Sequence, residues 1–173
     1  YDIYNEMGLP QNYYYATDHH FTLEGAFETY KALLENIEQE TTWSFDAYEK
    51  TDFEWKSLPN PCFGSSNRKF FGLWKNSDAI QLSYPKENIP FERTDNGKPV
   101  DSTIYRLPES EDELVTYSVY MGGDIGETVI TTNRPELPNI LIYGDSFTNP
   151  LETLLWTQAN ELRSIDFRHY TEC

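Results

Sequence analysis

The stretch that most constrains the fold is NILIYGDSFTNPLETLLWTQANELRSIDF, residues 139–167. Its first part, NILIY (139–143), is an unbroken apolar, β-rich run of the kind found in buried strands. A polar turn, GDSFTNP, follows, and LETLLWTQANEL then reads as a helix. Asn149 is placed to cap that helix and Pro150 to fill its first position, where no N–H is needed. SIDF (164–167) predicts a second strand. Two strands joined through a helix over so short a span form a right-handed parallel crossover. The expected class is therefore α/β with a mainly parallel sheet. Ligands on such sheets bind beyond the carboxyl ends of the strands, where Gly144, Asp145 and Ser146 fall.

The rest of the chain fits one domain spanning residues 1–173, long enough for a real core and too short for two comfortable ones. Residues 22–38 predict an amphipathic helix, because Ala26, Phe27, Tyr30, Leu33, Leu34 and Ile37 recur at spacings of three and four behind Thr22 as N-cap. The tyrosine run 13–15 and AIQLSYP predict strands. ERTDNGKPVDSTIYRL predicts a hairpin turning on Asn96-Gly97, TYSVYMGGD a strand ending on Gly122 and Gly123, and ETVITTN another short strand. An aromatic content of 16% argues against disorder, and a net charge of −16 argues against a nucleic-acid partner. Cys62 and Cys173 lack the spacing of a zinc or dithiol site, and a single long-range disulfide between them stays open. No apolar run approaches the 18 residues of a membrane span.

Ser146 occupies a sharp strand-to-helix turn, where its hydroxyl projects from the sheet and its N–H can stabilise an oxyanion. A serine hydroxyl is a poor nucleophile near neutral pH, so it needs a base, and the base needs orienting. Only His19, His20 and His169 can serve. In YYYATDHHFTLEGAF the first two follow Asp18, a grouping compatible with a metal site, an oriented base or a simple polar turn. In an extended or turn conformation residues i and i+2 point the same way. That alternation sets Asp18 beside His20 and turns His19 to the other side.

These blocks resemble the DHHW family of secreted bacterial proteins. YYYATDHHFTLEGAFETY is similar to its Asp-His-His-Trp segment, and ILIYGDSFTNPLETLLWTQANELRSIDFRHY to its later serine block, with YSVYMGGDIGETVITTN ahead of it. Phe21 stands where that family has Trp. Such proteins are in turn similar to the alginate O-acetylation proteins, with the fold of the SGNH (GDSL-like) hydrolases and the aspartate–histidine pair ahead of the serine. The resemblance implies a three-layer α/β/α domain lacking part of the family's amino-terminal region, which would also supply its attachment outside the cytoplasm. It implies Ser146 as nucleophile, His20 as base and Asp18 as orienter. The oxyanion would rest on the Ser146 N–H with one from Gly122 or Gly123, whose missing side chains let backbone approach closely.

His19, Asn149 and Arg168 are candidate substrate contacts; no cofactor and no metal are expected. The implied activity is that of an extracytoplasmic esterase or O-acetyltransferase on a cell-surface or exported polysaccharide. It would take an acetyl donor, with a membrane-bound acyltransferase as a further partner. Two other readings stand beside it. One is a non-catalytic carbohydrate-binding or polysaccharide-assembly protein on the same fold. The other is a metal-dependent phosphoesterase, for which Asp145 and Asp166 are the only tempting further acids.

Overall fold

Helix α1 (Leu23–Glu40) buries Leu23, Ala26, Phe27, Tyr30 and Leu34 along one stripe. Thr22 is extended and its hydroxyl oxygen accepts the Gly25 N–H at 3.2 Å, so the predicted cap is in place. The computed structural model describes residues 11–73 and 78–171; Cys173 therefore lies outside the described residues. Strands β1 (Phe53–Ser57) and β2 (Gln81–Pro85) pair antiparallel in a small separate sheet, and the short helix α2 (Ser65–Lys69) lies between them in sequence. A hairpin of β3 (Glu92–Asp95) and β4 (Lys98–Val100) turns on Asn96 and Gly97, both left-handed at φ 49° and 72°.

The main sheet adds β5 (Glu127–Thr131), β6 (Asn139–Gly144) and β7 (Glu161–Asp166), with helix α3 (Asn149–Leu155) between the last two. Its order is β4-β3-β5-β7-β6. Only β6 and β7 run parallel; every other pairing is antiparallel. The crossover through α3 is thus where expected, but the sheet is not mainly parallel. The reason is that β3, β4 and β5 enter through a hairpin and an antiparallel neighbour, and such pairs need no crossover helix.

Nor do the described residues display a second helical layer. Ile130 of β5, Leu162 of β7 and Leu154 and Leu155 of α3 are buried in one core, in which α1 packs on α3. The opposite face of the sheet carries no helix among the described residues. There Leu141 and Tyr143 of β6 are 63% and 70% exposed, and Arg163 of β7 pairs with Glu127 of β5. NILIY is therefore an edge strand buried on one side only, through Ile140 and Ile142.

Two other predicted strands are absent. The tyrosine run enters from a 3-10 turn, Gln11–Tyr13, and makes a single bridge between Tyr14 and Phe21. Tyr117–Val119 is a 3-10 turn capped by Thr116, because that hydroxyl accepts the Ser118 N–H at 3.3 Å and draws the chain into a turn.

Candidate active site

Ser146 opens a 3-10 turn (Ser146–Thr148) that follows directly on β6. Asp145 is extended and its Oδ1 accepts the Phe147 N–H at 3.0 Å. The aspartate, not the serine, therefore caps the turn, and the serine hydroxyl remains available. A Cβ at Gly144 would sit 2.6 Å from Thr148 Cγ2, so a larger residue there would have to displace that side chain as the turn folds back. The Ser146 N–H stands at the first position of the turn, where no carbonyl of that turn can receive it. Asn149 is not the N-cap that the sequence suggests. It is the first residue of α3, and Thr148 precedes it without a side-chain cap.

Ser146 Oγ lies 2.9 Å from Nε2 of His20, and Nδ1 of His20 lies 2.6 Å from Asp18 Oδ1. A carboxylate only accepts, so Nδ1 carries the proton and Nε2 is left to accept from the serine. All three groups are shielded: Ser146 and His20 are buried, and the Asp18 side chain is 6% exposed. Burial pushes the Asp18 carboxyl up. The hydrogen bond from His20, together with the Ser65 and His20 N–H groups at 2.6 and 3.2 Å, outweighs it and holds the group well below the usual carboxylate range. The segment is anchored just upstream by Asp78, which accepts the N–H groups of Ala16 and Thr17 and the Thr17 hydroxyl at 2.8–3.1 Å.

The imidazole is fixed by its neighbours. Tyr117 stacks flat on His20, with centroids 3.7 Å apart and planes at 10°, and Phe147 lies 4.9 Å away. His19 does not turn away as strict alternation requires. The chain bends through residues 16–20, so its ring lies 3.9 Å from that of His20, with Nδ1 2.7 Å from Ser65 Oγ. Phe21, in place of Trp, packs edge-on against Phe147 at 5.5 Å.

Gly64 brings α2 to this pair. A Cβ there would fall 2.1 Å from the Thr17 carbonyl oxygen, and the close approach lets Ser66 N–H donate to that oxygen and Ser65 N–H to Asp18. Gly64→Ala is expected to lower the melting temperature by roughly 5–10 °C, since backbone rather than a flexible side chain blocks the methyl. A circular-dichroism melt beside wild type checks this.

A recess of about 400 Å³ opens over the triad, walled by His19, Ser65, Arg68, Thr116, Asn149 and Arg168 among others. A larger cavity of about 500 Å³ lies elsewhere, around Trp156, Phe91 and Tyr105, and includes none of the three triad residues. Among the described residues, two buried side-chain polar atoms lack a hydrogen-bond partner: the Tyr117 hydroxyl and Asn149 Nδ2. Both residues line the recess over Ser146.

Of the glycine pair, Gly123 lines the recess over the triad, but its N–H donates to Tyr120 O at 3.0 Å, while Gly122 borders a different recess, with Arg93 and Met121. Met121, Gly122 and Gly123 all have positive φ, so the glycines serve a tight turn. Arg168 lines the recess, but its guanidinium is held by Asp166 at 2.6–2.9 Å and by Asp124 at 3.3 Å. A metal held by Asp18, His19 and His20 would take one nitrogen of His20 and so displace either the Asp18 contact at Nδ1 or the Ser146 contact at Nε2. Asp166 is likewise engaged by Arg168, and Asp145 by the turn it caps.

Solved structures superpose on this chain, among them the following three. A DHHW family protein from Eubacterium siraeum matches 93% of it with a TM-score of 0.72 and 20% identity. PatB1 from Bacillus cereus matches 96% with a TM-score of 0.73 and 22% identity, and the same protein carrying a sulfonyl adduct matches 94% with 0.75 and 23%. The chain has the DHHW and PatB1 fold. It spans only 53–59% of those chains, so it corresponds to a little over half of each. No family model and no curated protein matches the sequence.

Within this DHHW-type fold, sequence reasoning missed Tyr117, Ser65 and Asp78 as members of the site. The signal for Ser65 was a turn-rich stretch around Gly64, and that for Tyr117 was hidden in an apparent strand.

Proposed function

We infer that this chain is the acyl-transferring unit of an extracytoplasmic serine esterase or O-acetyltransferase acting on a cell-surface or exported polysaccharide. The observation that carries this reading is the continuous relay from Asp18 through His20 to Ser146, at 2.6 and 2.9 Å. Such a relay lowers the barrier to serine attack by giving its proton a place to go. The Ser146 oxygen attacks the acetyl carbonyl carbon while its proton passes to His20 Nε2. Collapse of the tetrahedral adduct returns that proton to the departing alcohol and leaves acetyl-Ser146. A sugar hydroxyl or water then loses its proton to Nε2, attacks the acetyl carbon, and the proton returns to the serine.

The negative oxygen of each tetrahedral adduct needs donors aimed at it. The Ser146 N–H and Asn149 Nδ2–H are the candidates, one without a carbonyl in its own turn and the other buried without a partner. Asn149→Ala is expected to lower kcat by about 100- to 1,000-fold with KM little changed, read by steady-state kinetics on an activated acetyl ester. The hydroxyl-lined recess suits a sugar acceptor through Ser65, Thr116 and Ser118, with His19 and Arg168 at its rim. An acetyl donor would reach it from a membrane-bound acyltransferase. No helix of the described residues is long and apolar enough to cross a membrane itself.

A sulfonyl adduct is reported on PatB1, and the same class of reagent tests this chain. Treatment with a sulfonyl fluoride or fluorophosphonate should place one adduct on Ser146, located by peptide mass spectrometry, and His20→Ala should suppress it. No adduct on Ser146 of the folded protein, with glycan binding retained, would leave a binding module on the same fold.

A further inference from the structure

Glu152 is 3% exposed, in the first turn of α3, behind the turn that carries Ser146. Its Oε1 lies 2.6 Å from Thr148 Oγ1 and 2.6 Å from Ser164 Oγ on β7. Thr148 Oγ1 also lies 3.0 Å from the Asp145 carbonyl oxygen, one residue before the nucleophile. A hydroxyl has one proton to donate. If Glu152 is ionised, Thr148 must give that proton either to the carboxylate or to the Asp145 carbonyl, and the other contact is left as two facing oxygens. If Glu152 is protonated, every contact is satisfied. Ser164 donates to Glu152, Glu152 to Thr148, and Thr148 to the Asp145 carbonyl.

We propose that Glu152 is a positioning residue, held as a neutral acid, that ties the Asp145–Thr148 turn to β7 through this directed chain and so fixes Ser146 opposite His20. The function rests on the acyl-transfer reading; the protonation state does not. Burial raises the Glu152 pKa; the Ser164 and Thr148 hydroxyls and the Arg93 guanidinium oppose the rise and Asp166 adds to it, leaving it above the ordinary carboxyl value. The groups facing it are thus Arg93 from β3, Asp166 from β7 and Tyr117 from the 3-10 turn. Arg93 is itself paired with Asp95 at 2.9 Å, and Tyr30, the buried titratable group of α1, accepts the Tyr48 N–H at 3.0 Å. When Glu152 ionises, the Thr148 hydroxyl turns from the Asp145 carbonyl to the carboxylate, and that carbonyl keeps only the Thr148 N–H at 3.0 Å, so the turn is held less tightly. Because the folded pKa lies above the unfolded one, the stability this chain contributes is complete below the ordinary carboxyl range. It is lost as pH rises through the raised value.

The test uses the intact protein, with Glu152→Gln as the neutral mimic and Glu152→Leu as the broken chain. Glu152→Gln is expected to keep kcat within about threefold of wild type at the acidic end and to flatten the alkaline decline of both kcat and melting temperature. Glu152→Leu is expected to lower kcat about 10- to 100-fold with KM nearly unchanged, because the nucleophile is misplaced rather than the substrate. An infrared difference spectrum, wild type minus Glu152→Gln, should contain the carbonyl stretch of a protonated carboxylic acid at neutral pH. Absence of that band, or a pH profile of melting identical in wild type and Glu152→Gln, overturns the neutral acid. Both readouts stand even if Ser146 proves unreactive. A normal kcat in a folded Glu152→Leu overturns the positioning role.

Discussion

Ser146→Ala is expected to reduce kcat on an activated acetyl ester by on the order of 10⁴-fold or more, and His20→Ala to do nearly the same. The two losses should not multiply, because the hydroxyl and the imidazole act as one unit joined at 2.9 Å. The double variant should therefore retain about the activity of either single one, the residue coming from oxyanion donors and binding alone. Folding is not in question for the serine, whose hydroxyl caps nothing and whose turn is held by Asp145 and Thr148. Steady-state kinetics with melting curves for all three variants check this. A Ser146→Ala enzyme that keeps a tenth of wild-type kcat would end the nucleophile assignment.

Asp18→Asn should have the second largest effect, a fall in kcat of roughly 10⁴-fold. The carboxylate accepts from His20 Nδ1, His20 N–H and Ser65 N–H at once. An amide has only one accepting end. With its oxygen toward Ser65, its NH₂ faces Nδ1, and the imidazole must shift its proton to Nε2, where it can no longer take one from the serine. With its oxygen toward His20, the NH₂ opposes the Ser65 N–H and the segment from Gly64 is pushed off.

The same carboxylate also links stability to pH on the acid side. Its folded pKa lies below the unfolded value, so its contribution is present above the ordinary carboxyl range and is lost as pH falls through the depressed value. Asp18→Asn should therefore melt lower at neutral pH and show a shallower decline toward acid, and an acid limb as steep as wild type would argue against this linkage.

What could be read in the sequence was local or chemical. The Asn96-Gly97 hairpin, the Thr22-capped helix and the β6–α3–β7 crossover depend on turn chemistry and periodicity within a few residues of each other. That Ser146, His20 and Asp18 come together was legible although the serine lies 126 residues from the histidine, because few histidines could serve such a turn. The sheet's partners were not, since pairing β5 against β7 is decided by contacts far apart in the chain. Continuous apolar character also misled. In NILIY, Ile140 and Ile142 face the core while Leu141 and Tyr143 face outward, a difference that the letters do not encode. Tyr117 was obscured by its neighbours: the alternation of YSVY reads as a strand, yet the Thr116 cap winds it into the turn that lays the ring on His20. The glycines that follow looked like oxyanion donors because bare backbone was all the sequence displayed; Asn149 looked like a cap for a similar reason.

Among the described residues β6 has a strand on one side only, and it ends two residues before the reactive hydroxyl. Its outward edge, along Asn139–Gly144, pairs with no other strand among the described residues. Any extended segment that zips onto that edge reaches the serine's own strand without passing through the core.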